Sequence, residues 1–112
     1  EGLRLTSFYA GATVCTPSRM ALLTGAYPPR LGWNGGVVGY GLKPQNGLAP
    51  QARTMGDVFK EAGYKTALIG KWHLGDTPEL HPMGQGFDLT YFIDKSNNQT
   101  KKQNKKGAVW LK

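Results

Sequence analysis

Residues 63–75 read GYKTALIGKWHLG, and the first half of this stretch has the pattern of a buried strand. Ala67, Leu68 and Ile69 run together instead of alternating with polar residues, as in strands covered on both faces. A helix is predicted just before it. Thr54 is a good capping residue with Asp57 three positions on, and Met55, Val58, Phe59 and Ala62 recur at helical spacing, which predicts one face laid on a core. Gly63 is a natural stop. A helix turning shortly into a buried strand is half of an α/β unit, so the chain is read as α/β.

The second half of the stretch carries the chemistry. Open α/β sheets bind ligands beyond the carboxyl ends of their strands, and GKWHLG begins where this strand ends. If the backbone stays extended, Lys71 and His73 face one side and Trp72 the other. A cation and an imidazole would then converge on one spot, an arrangement suited to an anionic group. Each residue also has a plain structural reading: a solvated lysine, a satisfied histidine and a core indole.

Upstream, LRLTSFYA (residues 3–10) alternates as a short half-buried strand would. TVCTPSRMALLTG (residues 13–25) then predicts a helix capped by Thr16, with Pro17 at its first position and a stop at Gly25. Cys15, the single cysteine of the chain, stands just ahead of it. A lone cysteine is usually a small buried apolar residue. Here the helix dipole and Arg19, about one turn away, also make it a candidate reactive centre, and the residues alone leave both readings open.

The 112 residues make one modest domain and no more. The chain begins at Glu1 without a methionine and breaks off in mid-pattern, so it is read as a piece of something longer. The net charge of +7 invites a nucleic-acid reading. However, Lys95, Lys101, Lys102, Lys105, Lys106 and Lys112 crowd the last twenty residues beside one acid, Asp94. That segment, 93–112, is read as a solvated Lys/Asn-rich loop or insertion and not as a nucleic-acid surface. One cysteine excludes an internal disulfide and a multi-cysteine zinc site. No apolar run is long enough to span a membrane. Asn98-Gln99-Thr100 forms a glycosylation sequon, which favours an extracytoplasmic location. The Gly- and Pro-rich residues 27–53 predict a long ordered loop, of the kind that lines sites. They hold no G-x-G-x-x-G nucleotide cradle, and His81 lacks a partner at metal-ligand spacing.

Taken together, CTPSR followed by MALLTG resembles the C-x-P-x-R signature of the sulfatase family, and GYKTALIGKWHLG resembles its second signature. The Y-P-x-R at Tyr27–Arg30 and the GFD at Gly86–Asp88 also fit, so the resemblance covers residues 2–89. It implies an alkaline-phosphatase-like sandwich with a mixed, mainly parallel central sheet flanked by helices, of which residues 1–92 would be part. It further implies sulfate ester hydrolysis, on an aryl sulfate or a sulfated carbohydrate, in a secreted, periplasmic or lysosomal protein.

In such proteins a maturation enzyme reads Cys15, Pro17 and Arg19 and oxidises the cysteine to formylglycine. One hydroxyl of the hydrated aldehyde attacks sulfur, the alcohol leaves, and the second hydroxyl expels sulfate. By the same resemblance Arg19 holds the hydrate, Lys71 touches both hydrate and sulfate, and His73 orients the formylglycine oxygen. Calcium or another divalent cation binds there, with position 15 as one ligand and the remaining ligands outside this segment. The 112 residues alone are accordingly expected to be inactive.

Three other readings compete. Some phosphonate and phosphate monoester hydrolases of the same superfamily share C-x-P-x-R. A cysteine-thiolate phosphatase is disfavoured because no run of backbone donors precedes Arg19. A basic binding module would use the lysine-rich tail.

Overall fold

The computed structural model describes residues 1–38, 47–75, 77–94 and 99–104. Two α-helices, three strands and three short 3-10 turns alternate along it. Helix α1 spans Cys15–Thr24, two residues ahead of the predicted start, with Val14 as its cap. Pro17 is therefore its third residue. Its missing N–H is no loss there, because the first intrahelical bond runs from Ser18 N to the Val14 carbonyl at 3.2 Å. Gly25 closes the helix in the left-handed conformation at φ 68°, as predicted.

Helix α2 spans Met55–Glu61, and the Thr54–Asp57 capping box is fully formed. Its expected apolar face is not on a core: Met55, Val58 and Phe59 are exposed. The helix docks by its first turn instead. Gly56 lies so close to Gln85 and Phe87 that a Cβ there would stand 3.0 Å from the Gln85 carbonyl oxygen. The Thr54 hydroxyl also donates to that carbonyl at 2.8 Å.

Strand β1 is Ala67–Lys71, β2 is Leu89–Asp94 and β3 is Gln99–Asn104, in the order β1-β2-β3. β1 and β2 are parallel, from Ala67 beside Leu89 to Lys71 beside Ile93. β3 is antiparallel to β2, with Leu89 beside Asn104 and Asp94 beside Gln99. Within the segment read as a loop or insertion, residues 99–104 form a strand, since β2 satisfies their backbone along one side. Residues 95–98 and 105–112, with the sequon asparagine, lie outside the described residues.

The apolar run of β1 is also less covered than predicted. Ile69 is 76% exposed and Leu68 only half-buried, because β1 is the edge of this sheet among the described residues. Residues 3–10 are irregular and exposed instead of a strand. An alternating pattern becomes a strand only where a neighbour takes its backbone hydrogen bonds.

A parallel pair needs a long crossover. Here residues 72–88 supply it without an α-helix, and they carry much of the core. Trp72, Leu74 and Phe87 pack with Met20 of α1 and with Trp33 and Leu48 of the long loop. The Trp72 indole meets the Phe87 ring edge-on at 6.2 Å and donates to the Leu80 carbonyl at 2.9 Å. Thr66 ties the start of β1 to the start of β2, donating to the Gly86 carbonyl at 2.7 Å and accepting from Asp88 N at 3.0 Å. Among the described residues no helix is long and apolar enough to cross a membrane.

Candidate active site

The start of α1 and the end of β1 meet. Cys15 Sγ lies 3.0 Å from His73 Nδ1, across 58 residues of chain. His73 is 7% exposed, so the contact is sheltered from bulk water. Its backbone is not extended but left-handed, at φ 59°, an unusual conformation for a residue with a side chain. The expected strand alternation of Lys71 and His73 therefore fails beyond the strand end. It is the turn at His73 that aims the imidazole at position 15.

Arg19 stands four residues after Cys15, on the same face of α1. Its Nη1 donates to the Lys71 carbonyl at 2.5 Å. Its Nε is buried and, among the described residues, has no acceptor. Lys71 reaches the site through that carbonyl, and its half-buried side chain shares a small cleft of about 180 Å³ with Arg19. Among the described residues the Lys71 ammonium has no ion-pair partner. The structure thus joins Cys15 to His73 and, by a separate contact, Arg19 to the main chain of Lys71.

Two residues outside the predicted set hold this arrangement. The Thr16 hydroxyl, predicted to cap the helix, instead donates to the His73 carbonyl at 3.1 Å and accepts from Val38 N at 3.2 Å. Gly47 approaches the turn so closely that a Cβ would fall 2.0 Å from the Leu74 carbonyl oxygen. Leu48 N donates to that oxygen at 2.9 Å. Nothing local in the sequence signals either contact, because both partners are remote in the chain. Beside α1 a cleft of about 730 Å³ opens between Thr13, Val14 and Pro17 and the loop residues Trp33, Asn34 and Gly36.

Comparison with known proteins decides the family. The sulfatase family model matches residues 1–111. The chain belongs to the sulfatase family. Arylsulfatase G of Rattus norvegicus is 43% identical over 99 residues, covering 88% of this chain and 18% of that protein. Steryl-sulfatase of Mus musculus is 48% identical over 106 residues, covering 87% of this chain and 17% of that protein. Among solved structures, Ps i-CgsB superposes with a TM-score of 0.66 at 38% identity, over 75% of this chain and 18% of that one. The segment is thus an α/β piece of the alkaline-phosphatase-like sandwich of sulfatases, and it spans less than a fifth of the length of these relatives.

The two groups that the family implies fare differently against these side chains. An oxygen-bearing formylglycine at position 15 fits, since His73 Nδ1 lies within hydrogen-bonding distance of the Sγ that it would replace. A metal ion finds no complete ligand set among the described residues. Among the described residues no three His, Cys, Asp or Glu side chains converge. Asp57 is committed to its capping box and Asp88 to Lys60, 3.0 Å away; Asp76 lies outside the described residues.

Proposed function

We propose that this segment carries the nucleophile, and part of the anion-binding shell, of a sulfuric ester hydrolase. The observation that carries this reading is the contact of Cys15 with His73, on the helix that also carries Arg19 with a buried N–H lacking an acceptor among the described residues. Formylglycine made from Cys15 would supply, as its hydrate, one hydroxyl to displace the alcohol from the ester sulfur and a second whose deprotonation would release sulfate and restore the aldehyde.

The remaining roles follow from position. Arg19 Nε donates to an oxygen at position 15, while its Nη1 keeps the guanidinium anchored on the Lys71 carbonyl. His73 Nδ1 holds the oxygen that takes the place of Sγ and is placed to move its proton. The Lys71 ammonium, without an ion-pair partner among the described residues, binds a sulfate oxygen. The α1 N-terminus adds a favourable dipole for the anion. The cleft along Trp33, Asn34 and Gly36 receives the alcohol part of the ester, an aryl sulfate or a sulfated carbohydrate. Calcium or another divalent cation would take most of its ligands from chain outside this segment, and no step is assigned to it.

Thr16 and Pro17 are buried in the fold. A maturation enzyme reading Cys15, Pro17 and Arg19 therefore acts before α1 packs. The family and the sequon at Asn98 support an extracytoplasmic protein.

The test is to produce the full-length protein with a formylglycine-generating enzyme, weigh the peptide containing residue 15, and compare sulfate, phosphate and phosphonate ester turnover. An aldehyde mass with preferential sulfate ester hydrolysis is expected. A thiol mass in an enzyme that still hydrolyses sulfate esters would overturn the role of Cys15. A faster phosphate or phosphonate ester rate would move the protein to the other hydrolases of the superfamily.

A further inference from the structure

The left-handed backbone of His73 is unfavourable for a residue with a Cβ, so surrounding contacts must hold it. Two do so. Leu48 N grips the next carbonyl, that of Leu74, while the Thr16 hydroxyl grips the carbonyl of His73 itself. Thr16 is fully buried and follows Cys15 directly in the chain. A hydroxyl has one proton to donate and lone pairs to accept, so Thr16 can hold His73 O and Val38 N at once. One side chain thereby ties three parts together: the start of α1, the turn after β1, and the loop that borders the cleft.

We propose that Thr16 is a positioning residue: its hydroxyl locks the His73 turn against α1 and so sets the imidazole on the reacting atom of residue 15. The kinetic part of this inference rests on the sulfatase reading, while the geometric part does not. Thr16 lies at a variable position of C-x-P-x-R, so its replacement leaves the maturation signal intact. Its hydroxyl does not cap the helix, which removes the usual local reason for a threonine there.

The experiment compares full-length protein carrying Thr16→Val, which removes the hydroxyl at nearly constant volume, with Thr16→Ser, which restores it. Formylglycine content is measured first, by peptide mass. Thr16→Val is expected to lower kcat on an aryl sulfate by roughly 10- to 100-fold, the scale of a misplaced catalytic group, with KM within about 2-fold. Thr16→Ser should stay within about 3-fold of the parent. A second readout uses the unconverted protein, labelled with ring-15N histidine and assigned with His73→Gln. The His73 ring nitrogens should shift in Thr16→Val and not in Thr16→Ser. If Thr16→Val does not fold, Thr16→Ala removes the same hydroxyl and is held to the same outcomes. Parent-like kcat and His73 shifts in the hydroxyl-free variant would overturn the proposal, as would equal losses in Thr16→Ser and Thr16→Val. Should the parent itself turn over no sulfate ester, the sulfatase reading fails and the ring-nitrogen shifts decide the role of Thr16.

Discussion

Arg19 and Lys71 are joined by a guanidinium-to-carbonyl hydrogen bond that spans 52 residues and fastens α1 to the end of β1. The bond leaves Arg19 Nε buried without an acceptor and leaves the Lys71 ammonium unpaired among the described residues. One contact thus fastens together the two elements that carry the candidate site residues.

Arg19→Lys should test the fork geometry separately from the charge. A lysine keeps the positive charge but cannot hold the Lys71 carbonyl and present a second donor at the Nε position. The full-length protein is expected to lose about 1 kcal/mol of stability in urea titrations and roughly 10- to 100-fold in kcat.

Lys71→Met removes the ammonium while keeping the stem that lies along the small cleft with Arg19. Because the carbonyl bond to Arg19 is main-chain, the fold should stand. Steady-state kinetics on an aryl sulfate should show kcat/KM reduced by about 100-fold, the scale of losing a charged contact to the transition state. An unchanged value would place the Lys71 side chain outside the site.

Gly47→Ala puts a methyl group against the Leu74 carbonyl, where only 2.0 Å is available, at a φ of 152°. The loop must then lift off the His73 turn. Stability should fall by about 2 kcal/mol or more, and kcat should fall with it, measured by denaturant titration and turnover on the same preparation. A substitution at Gly25, where a Cβ meets nothing within 4 Å, is the control for left-handed strain without the clash.

Thr54→Ala removes both the capping box of α2 and the hydroxyl bond to Gln85. A loss of about 1–2 kcal/mol in unfolding free energy is expected. KM and kcat should hold, because the side-chain bonds of Thr54 go to Asp57 and Gln85.

The parts that were legible in the sequence are those whose partners are near in the chain. The Thr54–Asp57 box and the left-handed stop at Gly25 were readable for that reason, since three or four residues contain all the interacting groups. The candidate site residues Cys15, Arg19, Lys71 and His73 were named through the resemblance of CTPSR and GYKTALIGKWHLG to the sulfatase signatures. The apolar face of α2 and the run at Ala67–Ile69 were misjudged. Pattern reports what a surface could bury, not whether a neighbour is present to cover it. The strand at 99–104 was missed because its polar composition speaks of solvent, while its order comes from pairing with β2.

By itself, then, the sequence determined the α/β class and the helix that stops at Gly25. Local propensity, capping and spacing suffice for these, whereas the four candidate site residues were named through the resemblance to the sulfatase signatures. Only the tertiary structure decided how the residues meet. The left-handed turn at His73, the hydroxyl bridge from Thr16 and the close approach of Gly47 each join groups separated by tens of residues. Contacts of that kind are set by how the crossover packs on α1, and no window of sequence contains both of their ends.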